Sequence, residues 1–253
     1  LYDVVMSLDG FIGTWNYNAS VQFSNQLANE HGYNYINKYA YAQLAATPGF
    51  DPSAKVNVDR YRYDTFERGE NRYDNYFFGM GNDITDEISV YLGVEYFEFG
   101  YDSRYDAGRN GLNVIGSAGN SSAGERDNTA FFGEALYIPE AIDGLEISVS
   151  ARQDDYSDFG SATTSKIGAA YDITDELFVR ASLGDSFIPA DMTSLYGSAS
   201  ESYPQAKDFV SCDATGISEA DCPQRQYATF YVSNPNLQPE TSESINMGLV
   251  WSP

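Results

Sequence analysis

Histidine, cysteine and positive charge are scarce in this chain. Its 253 residues hold one His, two Cys and 14 Lys plus Arg against 37 Asp plus Glu, a formal net charge of −23. The lone imidazole, His31, lies among Asn, Gly and Tyr, and no G-x-S-x-G occurs, so a His-based nucleophile triad has no frame to work in. It reads as a surface residue and not as a metal ligand. Cys212 and Cys222 with one His cannot make a Cys/His zinc site, and no G-x-x-x-x-G-K-[ST] offers a phosphate cradle. The chain therefore reads as no enzyme, and no cofactor is expected. The acid excess excludes a nucleic-acid binder that works by gripping phosphates. No run approaches the roughly 18 to 20 apolar residues of a membrane-spanning helix, which excludes helical spans and leaves barrels open.

What the chain does have is aromatics, 15% of it with 21 Tyr, together with 22 Gly. That mixture is too rich in aromatics for a disordered acidic tail. Period-two alternation is the strongest pattern. From Leu145 to Arg152, the residues Leu145, Ile147, Val149 and Ala151 fall on one face, with Glu146, Ser148, Ser150 and Arg152 on the other. Leu177–Gly184, Ile88–Glu95, Trp15–Ser24 and Ser244–Trp251 repeat it. Weaker segments at Leu1–Asp9, Tyr73–Gly81 and Thr129–Ile138, and a Gly/Ala-rich one at Ser165–Ile173, bring the expected strands to nine.

Connections alternate in length. Short turns rich in Gly, Asp, Asn or Pro are expected at 10–14, 82–87, 139–144 and 174–176, and long connections at about 25–72, 101–126 and 188–240, with one shorter exception at 154–162. Short turns at one end and long loops at the other mark an up-and-down meander with unlike ends, the layout of an outer-membrane barrel. A soluble β-sandwich is the competing reading. Against it stand Trp15, Tyr137, Tyr171 and Trp251, all on the apolar parity and all next to a short turn, which places them as a girdle of rings at a membrane interface. The opposite parity carries Glu95, Glu134, Glu146, Arg152, Lys166 and Arg180, charges that are costly in a sandwich core and comfortable in a wet lumen.

The fold expected is all-β, an antiparallel up-and-down transmembrane β-barrel with about nine strands in residues 1–253. Nine strands with two free edges would leave backbone groups unpaired in lipid. The segment is thus expected to be part of a larger barrel.

Several stretches carry a family resemblance: Asp154-Asp155-Tyr156-Ser157-Asp158-Phe159-Gly160, Thr174-Asp175-Glu176-Leu177, Arg180-Ala181-Ser182-Leu183-Gly184, Leu195-Tyr196-Gly197, and Asn234-Pro235-Asn236-Leu237-Gln238-Pro239-Glu240-Thr241-Ser242-Glu243-Ser244. With the segment from Gly119 to Arg126, they closely resemble the barrel of TonB-dependent outer-membrane receptors. The resemblance runs from about Gly119 to Pro253, and from Leu1 to Tyr101 only the strand pattern agrees. The chain departs at Ser186-Phe187-Ile188-Pro189-Ala190, where the family usually reads Gly-Phe-Arg-Ala-Pro, and at Gln238, where a Lys often precedes the Pro. The resemblance implies a barrel of 22 strands in a Gram-negative outer membrane. It also implies a plug domain that this segment lacks, TonB as a partner through an N-terminal part, surrounding lipid, and active import of a scarce nutrient. Siderophore, cobalamin, saccharide and peptide importers all share these strands. A passive porin-like channel and a surface adhesin or structural β-protein are the alternatives.

Three groups of residues are candidates for binding or cross-linking. Tyr33, Tyr35, Tyr39, Tyr41, Tyr61 and Tyr63 in the first long connection are candidates for ligand contact, since rigid amphipathic rings on loops give contact area at low entropic cost. Mutual packing of these rings is the other reading, and both stay open. Asp154, Asp155 and Asp158 form a weak calcium candidate without EF-hand spacing. Turn chemistry accounts for the same residues, as it does for the Asn and Pro of the stretch from Asn234. Cys212 and Cys222, ten residues apart in what would be an extracellular loop matured in an oxidising compartment, are expected to form a disulfide.

Overall fold

The computed structural model describes residues 1–253. Its main feature is one antiparallel sheet whose strands follow the chain in order. It begins with β1 (Tyr2–Ile12), β2 (Trp15–Asn37), β3 (Arg62–Asp83) and β4 (Ile88–Tyr105). A two-residue strand β5 (Val114–Ile115) pairs with β2 off this path, which then continues through β6 (Ser122–Tyr137), β7 (Leu145–Tyr156), β8 (Gly160–Thr174) and β9 (Leu177–Ile188). The last connection holds β10 (Ser200–Ser202), β11 (Gln205–Lys207), β12 (Gln224–Gln226) and β13 (Thr229–Tyr231), before β14 (Glu240–Trp251) pairs with β9. Five short helices lie in the connections: α1 (Lys38–Ala45), α2 (Lys55–Tyr61), α3 (Ala107–Asn110), α4 (Met192–Tyr196) and α5 (Phe209–Ala214). The nine expected wall strands are all present, forming part of a barrel whose edge strands are β1 and β14. None of the helices is long and apolar enough to cross a membrane.

Register turns the alternation of each strand into two continuous faces. One row reads Val90, Ala135, Val149, Ile167, Leu183 and Ile245 across six neighbouring strands, each residue directly opposite the next. The adjacent row on the other face reads Tyr91, Glu134, Ser150, Lys166, Gly184 and Ser244. A one-residue slip anywhere would put Lys166 or Glu134 into the apolar row, so the lipid-facing pattern itself fixes the register.

Three expected boundaries need correction, the first being the shorter connection at 154–162, which is only 157–159. The connection expected at 25–72 spans only 38–61, because β2 runs on for 23 residues and β3 for 22. The one expected at 101–126 shrinks to 106–121. Above the row that joins Phe23, Asp74, Glu98 and Asp127, the outward face turns charged, with Arg68, Glu70, Arg72, Asp102 and Arg104. From Tyr96 to Tyr105, β4 rises about 30 Å at ~3.3 Å per residue. Long connections at 38–61, 106–121 and 189–239 and the tight β7–β8 turn share one end, while the opposite end has only short turns.

The three long connections are tied into one body. Ile36 and Asn37 of β2 pair with Ile115 and Val114 of β5, and the Lys38 N–H donates to the Asn113 carbonyl at 2.8 Å. The Glu201 N–H donates to the Ala118 carbonyl at 3.1 Å, which docks the last connection on the second. Val114 of β5, which pairs with Asn37, is 1% exposed.

Candidate ligand-binding mouth

The inward face of β3, β4, β6 and β7 carries a polar network built by strand alternation. Arg152 sits at its centre. Its Nε donates to both oxygens of Asp154 at 3.0 Å, and its Nη2 donates to Glu95 Oε2 at 2.8 Å. The Asn75 amide donates to Glu95 Oε1 at 2.7 Å and to the Tyr73 hydroxyl at 3.0 Å, and the Asn128 amide donates to Asp154 Oδ1 at 2.9 Å. Asp154 is 2% exposed, and Arg152 and Asn128 supply the hydrogen bonds that a carboxyl buried in the wall requires.

Towards the loops, the same face turns aromatic. Rings run from Tyr73 to Phe97 (centroids 5.6 Å apart), to Tyr156 (6.0 Å) and to Phe159 (4.5 Å), with Phe187 edge-on to Tyr156 at 5.9 Å. These separations suit stacked and edge-to-face pairs. Arg126 of β6 reaches across them. Its guanidinium carbon lies 5.7 Å from the Tyr156 and Phe159 ring centres, its Nη2 donates to Asp158 Oδ2 at 2.6 Å, and it also donates to the Ala190 carbonyl at 2.8 Å. Arg126 thereby clamps the β7–β8 turn and the start of the last connection to the wall.

Above this floor, residues 189–193 fold back and α4 lies on β6. Gly124 makes that contact possible, because a Cβ there would stand 2.6 Å from the Tyr196 ring. Met192 and Leu195 form the buried side of α4. The resulting cavity opens to the lumen side, measures about 470 Å³ and is lined by Asn71, Tyr73, Phe97, Phe99, Tyr101, Arg126, Tyr156, Pro189, Asp191, Met192 and Thr193. Asp191 caps α4. The Ser194 hydroxyl and then the Ser194 N–H donate to its carboxyl, holding it below the usual carboxylate range and hence ionised. An apolar groove of about 430 Å³ by Met6, Val21 and Phe78 lies on the lipid-facing side and belongs to the wall's outer surface.

Of the six candidate tyrosines, Tyr33 and Tyr35 lie on β2, Tyr63 on β3, and only Tyr39, Tyr41 and Tyr61 in the first connection. Tyr41 packs edge-on against Tyr61 at 5.2 Å and Phe50 at 5.7 Å, and the Tyr61 hydroxyl donates to the Pro52 carbonyl at 2.6 Å, so these rings are the core that holds α1 on α2. Tyr63 donates to Asp106 Oδ1 at 2.7 Å and accepts from the Gly108 N–H at 3.1 Å, a cap for α3. Tyr35 lies on β2 against Gly32, whereas Tyr33 and Tyr39 are exposed. Packing therefore accounts for Tyr41, Tyr61 and Tyr63, and Tyr33 and Tyr39 stay free to touch a ligand. His31 faces the Phe66 ring at 4.9 Å.

The three aspartates do not converge. Asp154 is held by Arg152, Asp158 is paired with Arg126, and Asp155 on the opposite face accepts from the Ser161 hydroxyl. No group of three or more acidic, His or Cys side chains is arranged to hold a metal, which corrects the calcium reading: alternation along β7 sends neighbouring carboxylates to opposite faces. Cys212 and Cys222 are joined in a disulfide, with Cα atoms 5.9 Å apart, and both are buried in the last connection. Trp15, Tyr137, Tyr171 and Trp251 all sit on the outward face, opposite Ile12, Ile88, Leu145 and Leu177 at the short-turn end. A second belt, with Tyr76 5.9 Å from Phe23 and 6.2 Å from Tyr96, marks the other end of the apolar band. The cavity rings Tyr73, Phe97, Phe99 and Tyr101 were not singled out from sequence. The signal is there, since 97, 99 and 101 place three aromatics in succession on the parity that elsewhere is polar.

A family model described as TonB dependent receptor-like, beta-barrel matches residues 5–253, extending through the first half, where sequence motifs were silent. No curated protein matches the chain. Among solved structures, a variant of the ferric enterobactin receptor PfeA from Pseudomonas aeruginosa is 16% identical with a TM-score of 0.61, covering 99% of this chain and 32% of that one. The siderophore receptor PirA from Acinetobacter baumannii is 12% identical, with a TM-score of 0.61 and the same coverage. At these identities the likeness is one of fold. The chain spans about a third of the length of these solved structures.

Proposed function

Because the chain belongs to the TonB-dependent receptor β-barrel family, we propose that it supplies wall and outer mouth to an outer-membrane receptor that captures a scarce nutrient and imports it with energy delivered through TonB. The observation that carries this reading is the placement of the long connections: all lie at one end of the wall, linked to one another, and the last folds inward over an aromatic cavity on the luminal face. A ligand arriving from outside meets that assembly first. Scaffold and function divide as expected, with a hydrogen-bonded wall holding connections that vary in length and chemistry. The apolar band between two belts of rings faces lipid, and the turn-side rings Trp15, Tyr137, Tyr171 and Trp251 rest among headgroups. Partners in this reading are outer-membrane lipid, TonB and the nutrient, in a Gram-negative cell.

The test is uptake in cells with and without TonB. Active import requires that accumulation of the nutrient stop when TonB is removed while surface binding persists. Accumulation that continues without TonB points to a passive channel and overturns the reading. Replacing residues 38–61 with a short turn is expected to weaken capture while the barrel still assembles.

A further inference from the structure

We propose that the cavity roofed by Pro189–Thr193 binds a flat aromatic ring that carries a cationic group. This deepens the receptor reading and rests on it only for placing the cavity at the outer mouth.

The cavity offers π faces and one uncompensated carboxylate. Tyr73, Phe97, Phe99, Tyr101 and Tyr156 line it, so a planar ring can lie against aromatic surface on more than one side. Its volume of about 470 Å³ falls in the range of small-molecule sites, roughly 300 to 1,000 Å³. The one cation in the lining, Arg126, is already spent. Its Nε and Nη2 both donate to Asp158, its Nη2 also donates to the Ala190 carbonyl, and Arg126 and Asp158 are buried together with side chains 7% and 8% exposed. An anionic ligand would have to displace Asp158 from that pair, leaving a buried carboxylate alone.

Asp191 has no such partner. It forms no ion pair, and the groups that donate to it, the Ser194 N–H and hydroxyl, are neutral. Its full negative charge therefore stands at the cavity lining, within a chain of net charge −23. A positive ring gains from the quadrupoles of the aromatic faces and from this carboxylate, whereas a neutral ring gains only the apolar contact. An anionic ring meets repulsion from both.

Three probes that share a naphthyl ring and differ in the charge of the attached group separate these cases: (2-naphthylmethyl)trimethylammonium, 2-naphthylmethanol and 2-naphthalenesulfonate. Each is titrated calorimetrically into the protein purified from outer membranes in detergent. The ammonium probe is expected to bind roughly tenfold or more tightly than the neutral alcohol, and the sulfonate weakest of the three. Asp191→Asn removes the charge but keeps an equally good helix cap, so α4 stays in place. This variant should abolish most of the ammonium's advantage and leave the alcohol unchanged. Phe99→Ala should weaken ammonium and alcohol alike. The proposal is overturned if the sulfonate binds best, if ammonium and alcohol bind equally, if no probe binds, or if Asp191→Asn leaves the preference intact. No TonB is present in the titration, so failure here leaves the uptake reading standing, and loss of TonB-dependent uptake leaves this result standing.

Discussion

The same strands behave as two materials along their length. Within the apolar band the outward row at Val149, Ile167 and Leu183 is uniformly aliphatic and the inward row is polar, so each strand has one dry face and one wet face. Above the Tyr76–Tyr96 belt, β2, β3, β4 and β6 keep their hydrogen bonds but lose that contrast. Outward residues become Arg68, Glu70, Arg72, Asp102 and Arg104, and inward ones are polar or aromatic. The lower half is specified by its solvent, lipid on one side and water on the other. In the upper half, register is inherited from below and held by cross-strand and i,i+2 contacts such as the Arg104–Asp102 pair. A β-bulge lies in that upper part between Gly32 and Tyr35, with Asn34 at φ 63°, and the other break in register, between Asp172 and Thr174, falls beside the β8–β9 turn at the opposite end.

The sharpest way to break this comparison uses one ion pair from each setting. Arg126 and Asp158 are buried at the mouth, and Arg104 and Asp102 are 73% and 35% exposed on the outer extension. Arg126→Ala should cost about 3 to 5 kcal/mol, since it strands the Asp158 charge in the wall. Arg104→Ala should cost at most ~1 kcal/mol, because water replaces the partner. Denaturant unfolding of the detergent-folded protein measures both, and equal costs would remove the distinction.

Next in size is a charge on the outward face. Ile167→Arg sits between Val149 and Leu183 in the apolar band and should destabilise the protein by about 2 to 4 kcal/mol when folded into lipid vesicles. Glu125→Arg, exposed on the outward parity of β6 above the belt, should change stability by less than ~0.5 kcal/mol. A large penalty at Glu125 would mean that lipid reaches higher than the belt of rings.

These contrasts also explain what was legible in the sequence. Alternation at Leu145–Arg152 and Leu177–Gly184 is written by the lipid–water difference, so the nine strands, their order and the two unlike ends could be read directly. The upper extensions could not. In Arg68-Gly69-Glu70-Asn71-Arg72 neither parity is apolar, and a strand with water on both sides has the composition of a loop. The mouth was legible in part. Turn chemistry at Asn234–Pro239 and the spacing of Cys212 and Cys222 are local features. The cavity joins Tyr73, Phe99, Arg126 and Asp191 from four elements, and only register and the inward fold of the last connection bring them together. Tyr41 and Tyr61 stayed ambiguous for a related reason: a tyrosine that packs a loop and one that meets a ligand look the same in sequence.

Reducing the Cys212–Cys222 bridge opens a ten-residue spacing within the last connection, worth roughly 2.5 to 3 kcal/mol by the loop-entropy relation. The loss should be confined to residues 189–239. Hydrogen exchange after mild reduction is expected to speed up in β10 to β13 and leave β7, β8 and β9 unchanged. Faster exchange in the wall strands would show that the mouth and the wall form a single cooperative unit.

The smallest effect concerns Asp106, which joins the two regions. Burial pushes its carboxyl up, but the Phe66 N–H, the Tyr63 hydroxyl and the Arg109 and Gly108 N–H groups together outweigh burial and hold it below the usual carboxylate range. A carboxyl whose value is depressed by folding contributes stability that is complete above its unfolded value, and that contribution is lost as pH falls through the folded one. The second connection should therefore loosen at acid pH, below the ordinary range of an Asp, while the apolar band, which titrates nothing on its outward face, stays intact. Tyr63→Phe removes one of the groups that favour the charged form and should cost about 0.5 to 1.5 kcal/mol. It should also move the onset of loosening to higher pH. Asp106→Asn keeps a cap on α3 and should remove this pH dependence altogether. Proteolysis within 106–121 measured against pH compares the three proteins. A profile that Tyr63→Phe does not shift would show that the Asp106 cluster plays no part in holding the mouth to the wall.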